Sequence, residues 1–138
     1  MKSRTIYSLF VLLVLAMTTT VYAAQRNLIG NWGITFKGYY GNEQVGTTYG
    51  EKKATFHITK QTGQSFAGTV EIESSTESFC LTGNIKNDKI VMIIGGNTFI
   101  RGNVYDTANG PKMNLIMETQ QMSHDDTQGV LYGTASKK

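Results

Sequence analysis

Disulfides are the first thing this chain cannot use. Its 138 residues include one cysteine, Cys80, so no intramolecular bridge can form and stability has to come from packing. A lone cysteine leaves two readings: a small, sheltered strand residue, or half of an intermolecular disulfide. Charge is also scarce, at 17% of residues. Lys52-Lys53 and Lys137-Lys138 are the only basic doublets, and neither makes the clustered stripe that phosphate binding requires, so nucleic acid is not an expected partner. The chain has no Gly-x-Ser-x-Gly elbow and no phosphate loop. The length admits one domain at most and excludes a TIM barrel, while 40% hydrophobic residues is too many for a disordered chain.

What is present begins with an export signal. Lys2 and Arg4 form a basic region, Ile6 to Met17 is an apolar run, and a more polar stretch ends in Val21-Tyr22-Ala23. Small residues at Val21 and Ala23 suit the two pockets of a signal peptidase, which places the cut between Ala23 and Ala24. The run is shorter than the roughly 20 residues of a spanning helix, and no later stretch could span a bilayer as a helix. The expected organisation is therefore a signal peptide over residues 1–23 and one domain over 24–138, secreted or periplasmic and without stable membrane insertion. Loss of Lys2 and Arg4 reduces the 13 basic side chains to 11, against 10 acidic ones, so the apparent basicity of the precursor largely vanishes.

From Asn27 onward the hydrophobic period is two. Trp32, Ile34 and Phe36 alternate with Gly33 and Thr35, and Ala54, Phe56 and Ile58 with Thr55, His57 and Thr59. Phe66, Val70 and Ile72 repeat the pattern, as do Phe79, Leu81 and Ile85, and later strands read as 89–94, 98–105, 112–120 and 129–135. Gln61 to Gln64, Asn87-Asp88, Gly95-Gly96-Asn97 and Asn109-Gly110 carry the glycine and asparagine that tight hairpins demand. No segment after the signal shows a persuasive helical period, and parallel strands would need long crossovers. The expectation is an all-β, eight-stranded antiparallel up-and-down barrel. Closure is favoured over two packed sheets because strand-internal glycines at Gly33, Gly68, Gly83, Gly102 and Gly133 would relieve crowding where a small barrel bends. An interior of that size holds either packed side chains or one small ligand.

Gly30-Asn31-Trp32 at the start of the first strand resembles the first-strand signature of the calycin superfamily, which comprises the lipocalins, fatty-acid-binding proteins and avidins. The resemblance implies a calycin-like, avidin-sized barrel in which the tryptophan closes one end. The chain carries no second lipocalin signature, no arginine in the last strand to stack on Trp32 and no set of biotin-contacting residues. The resemblance therefore implies a fold and not a ligand. The segment from Phe56 to Gly68 is also similar to hairpins of small secreted bacterial barrels.

The candidate surfaces follow from this frame. Residues 38–50 read as the longest connection, an adaptable lid with Tyr39, Tyr40 and Tyr49 among glycines. Tyrosine suits such a mouth because it offers a flat apolar area and a hydroxyl at low entropic cost. With Trp32 and Phe36 these tyrosines form the expected ligand-binding set. The fifth strand is apolar on both faces, so Val91 and Ile93 should point outward beside Phe99 and Ile116, a patch fit for a homo-oligomer interface.

Chemistry is thinner. His57, between threonines, reads as a solvated outward residue, and Cys80 with His57 lacks the third group a catalytic dyad needs. His124-Asp125-Asp126 is too short a cluster for a metal site. Glu71 and Glu73 belong to a solvent face. The expected function is a non-catalytic binding module, without cofactor or metal, that takes a small apolar or aromatic ligand at the barrel's open end. The alternative is a secreted effector or inhibitor that binds another protein through residues 38–50 and the 90–94 surface.

Overall fold

The computed structural model describes residues 25–119 and 128–138, and every one of its regular elements is a strand. In chain order they are β1 (Gly30–Asn42), β2 (Gly46–Thr62), β3 (Ser65–Ile72), β4 (Ser78–Lys86), β5 (Lys89–Ile94), β6 (Thr98–Thr107), β7 (Gly110–Thr119) and β8 (Gln128–Lys137). Each pairs antiparallel with the next, and β8 returns to β1 with Trp32 opposite Lys137 and Gly41 opposite Gln128. The result is the expected closed, eight-stranded up-and-down barrel. The signal-peptide segment and the His124-Asp125-Asp126 triplet lie outside the described residues.

Period-two alternation decides which side chains fill the barrel. Trp32, Ile34 and Phe36 of β1, Phe56 and Ile58 of β2, and Ile90, Met92 and Ile94 of β5 are all buried, with their sequence neighbours facing out or half-sheltered. Every fully buried side chain among the described residues is apolar, which suits a narrow interior where an unpaired polar group would be costly. The tight turns use the residues whose backbone they require. Asn87 and Asp88 both have positive φ, 51° and 62°, the geometry of a two-residue hairpin whose twist matches its strands.

Three expectations need correction. Residues 38–50 are not a free connection. β1 and β2 stay in register up to Asn42 opposite Gly46, and only Glu43 to Val45 form the turn. The Asn42 carboxamide oxygen accepts from the backbone N–H groups of Gln44 and Val45, at 3.1 and 3.0 Å, so a side-chain turn closes a hairpin that tyrosine pairing extends. Cys80 is not sheltered: it alternates with inward Leu81 and points to solvent. Gly33 does not relieve interior crowding, because it faces outward between Trp32 and Ile34, and an added methyl would meet only the mobile end of Lys138. Gly102, by contrast, is inward-facing and closely approached, and a Cβ there would lie 1.9 Å from the Asn114 carbonyl oxygen.

Among the described residues, one end of the barrel is plugged. Residues 25–29 precede β1 and cross beneath the β2–β3, β4–β5 and β6–β7 turns. Arg26 reaches Asp88 (Nε to Oδ1, 2.8 Å) and Asp106 (Nη1 to Oδ1, 2.6 Å), so one guanidinium ties the β4–β5 turn to the end of β6. The Gln61 side chain holds the strap from the third, donating to the Arg26 carbonyl at 2.9 Å and accepting from the Leu28 N–H at 2.8 Å. Leu28 is thereby pressed into the interior, fully buried, and its carbonyl accepts from the Trp32 indole N–H at 2.9 Å.

Candidate functional site at the open end of the barrel

The opposite end is built differently. Inward positions near it carry small or polar side chains, among them Ala54 on β2, Thr98 on β6, Thr119 on β7 and Gly129 on β8, where the plugged end carries Trp32, Ile58, Ile90 and Met113. The loss of side-chain volume leaves a cavity of about 550 Å³. Its floor is Phe36, Phe56, Val70 and Leu131, and Ile72, Phe79, Ile94 and Met117 form the wall above. Polar groups gather at the rim: Ser74 and Ser75 after β3, Asn97 after β5, Thr98 and Thr119. A cavity of this size with an apolar wall and a few rim dipoles has the make-up of a small-molecule pocket.

The five residues read from the sequence as ligand-binding separate in space. Phe36 and Tyr40 line the cavity. Tyr39 and Tyr49 sit opposite each other on the outer face of the hairpin, 63% and 61% exposed, with their rings edge to face at 5.2 Å between centroids. Trp32 is remote from the mouth and fully buried against the strap, with the Lys137 ammonium 5.7 Å from its ring centroid. The last strand thus places a lysine where no arginine is available.

Sequence reasoning passed over Lys52. It pairs with Phe36 across β1 and β2, which puts it on the inward face, and its ammonium lies 4.6 Å above the Tyr40 ring. The signal was in the pattern: Lys52, Ala54, Phe56 and Ile58 share one parity, and only the charge of the first conceals that it belongs to the interior set.

Outside the barrel, the register separates the suspected dyad. His57 is opposite Thr69 on β3, and Thr69 is opposite Cys80 on β4, so two inter-strand spacings, roughly 10 Å, lie between them. His57 instead contacts Asn31 (Nδ1 to Oδ1, 2.9 Å), and its Nε2 comes within 3.3 Å of Glu71 Oε2. That second approach has the distance of a charge contact without hydrogen-bond alignment, and Nε2 makes no hydrogen bond. Glu73 faces Lys53 at 3.9 Å. Among the described residues no group of three or more His, Cys, Asp or Glu side chains is arranged to hold a metal ion.

Val91, Ile93 and Phe99 do face outward, Val91 with 57% of its surface exposed. Ile93 and Phe99 are direct cross-strand partners. Ile116 is half-buried and diagonal to Phe99, and the Arg101–Glu118 ion pair occupies the other diagonal. Ile116 continues instead toward Tyr132 of β8, its own register partner.

No family model, no curated protein and no solved structure matches the chain.

Proposed function

We propose that this chain is an exported, non-catalytic binding module of calycin-like architecture that accepts a small apolar or aromatic molecule at the open end of its barrel. The observation that carries the reading is the division of the interior. One end is filled by Trp32 and plugged by Leu28, while the other keeps about 550 Å³ behind a polar rim. A barrel selected for packing alone gains by filling such space, since each missing methylene costs about 1 kcal/mol. The basic and apolar N-terminal segment supports a secreted or periplasmic setting.

The test uses phenylnaphthylamine, a neutral aromatic probe whose fluorescence rises in apolar surroundings. Saturable one-to-one binding is expected, abolished by Ala54→Trp, which fills the mouth from the β2 wall. Retention of binding in that variant, or no binding to the wild-type chain, would overturn the reading.

A second reading draws on the exposed Val91, Ile93 and Phe99 strip, which fits a protein partner or a second copy of the chain. The outward Tyr39–Tyr49 pair would extend the contact surface offered to a foreign protein. Light scattering at micromolar concentration separates the two occupants. An oligomer dispersed by Ile93→Asp supports self-assembly, and a monomer overturns it.

A further inference from the structure

We propose, resting on the barrel-mouth reading above, that the ligand is an anionic amphiphile: an apolar body seated in the cavity and a single carboxylate, sulfonate or phosphate group held by Lys52.

Lys52 carries a charge that no described carboxylate compensates. Its two neighbours at the upper part of the β1–β2 hairpin, Lys37 and Lys53, face outward and are matched. Lys37 lies 3.2 Å from Glu51, and Lys53 lies 3.9 Å from both Glu51 and Glu73. Lys52, between them in sequence, has the opposite parity and has no carboxylate partner among the described residues. Its ammonium rests over the Tyr40 ring, a contact that steadies a cation weakly and leaves its hydrogen-bond donors available. No acidic residue lines the cavity among the described residues, so none of them attracts a cationic ligand, while the half-sheltered ammonium repels one.

An anion at Lys52 would gain a charge-assisted hydrogen bond in surroundings drier than bulk water, where such bonds are stronger than neutral ones. The flexible four-carbon stem lets the ammonium leave the Tyr40 face and meet the head group. Ser74 and Ser75 at the rim offer hydroxyl donors to its remaining oxygens. Below that level, Phe36, Phe56, Val70, Ile72 and Leu131 present only apolar surface, which accepts the body of the molecule and rejects a second charge.

Two probes of almost identical body test this directly: phenylnaphthylamine, which is neutral, and anilinonaphthalene sulfonate, which adds one anionic group. The wild-type chain is expected to bind the sulfonate about tenfold more tightly, the scale of one charge-assisted bond. Lys52→Gln should abolish that preference while leaving the neutral probe in place, and Lys52→Arg should restore it. Rising salt should weaken sulfonate binding alone. Lys86→Gln at the plugged end serves as a control expected to bind both probes as the wild type does. Equal affinity for the two probes, or a sulfonate preference that survives Lys52→Gln, would overturn the anionic class and leave the mouth reading standing. Failure of both probes to bind, or their retention in Ala54→Trp, would overturn the mouth reading itself.

Discussion

The ammonium of Lys137 lies 5.7 Å from the centre of the Trp32 ring, across the register pair that joins the last strand to the first. The tryptophan fills the plugged end, and the lysine covers it from β8. Trp32→Ala should therefore cost about 3 to 5 kcal/mol by removing a large buried ring, whereas Lys137→Gln should cost about 0.5 to 1 kcal/mol, the worth of an exposed cation–π contact. Trp32 is the only tryptophan, so its fluorescence follows the wild type and Lys137→Gln, with emission blue-shifted in the folded protein and moving red on denaturation, while Trp32→Ala, which lacks that fluorophore, is followed by far-UV circular dichroism. Urea melts with equal loss in the two variants would contradict this division of roles.

Arg26 is the knot of the strap. Its hydrogen bond with Asp88 and then that with Asp106 hold its pKa above the ordinary guanidinium value, against a smaller opposing effect of desolvation. A raised pKa in the folded state means that its contribution is complete below the unfolded value and is lost only as pH climbs beyond it. The strap should consequently be insensitive to arginine titration across the neutral range. Asp88→Asn keeps a residue that tolerates positive φ while deleting one ion pair, and should cost up to about 1 kcal/mol. Arg26→Ala removes both pairs and should cost more. Differences in thermal midpoint between the two variants measure the second pair.

Gly102→Ala places a methyl within 1.9 Å of the Asn114 carbonyl, a contact that backbone alone must absorb. About 2 kcal/mol or more of destabilisation is expected. Gly63→Ala sits in open space at a φ of 56°, so its cost is conformational, about 1 kcal/mol. Comparable denaturation midpoints for the two variants would show that the barrel wall yields at Gly102.

Cys80 should react stoichiometrically with a thiol reagent in the native state, without denaturant, because its side chain faces solvent on β4. Cys80→Ser should leave stability within about 0.5 kcal/mol of the wild type. Protection until unfolding would point to a covered outer face.

Mass analysis of protein recovered from its native host should give a chain beginning at Ala24. A start at Met1 would remove the export reading and would leave the barrel untouched.

The fold was readable because each of its rules is local. Alternation at Trp32, Ile34 and Phe36, or at Ile90, Met92 and Ile94, announces a strand with one apolar face, and Asn87-Asp88 announces the turn that reverses it. Three features escaped for reasons that are physical rather than accidental. The Arg26–Leu28 strap has no period at all, since its partners Gln61, Asp88 and Asp106 are distant in sequence. The upper hairpin hides behind Gly38-Tyr39-Tyr40-Gly41, where glycines interrupt the alternation although backbone pairing continues. Lys52 was concealed because charge is read as outward, and the one place that reading fails is the rim of a cavity, whose existence depends on all eight strands at once. The tyrosines were attractive by composition, but residue type could not say that Tyr40 faces in while Tyr39 and Tyr49 face out.

The pairing of β1 with β8 has a consequence for how the barrel closes. β8 closes the sheet against β1, so until it docks the other seven strands form a curled, open sheet with two bare margins. Those margins are satisfied only when β8 docks, which makes closure a comparatively slow event governed by the strand pairing of longest sequence separation. Deleting even a few residues of β8 should thus do more harm than their side chains would indicate, because it unseals the whole cylinder along a seam.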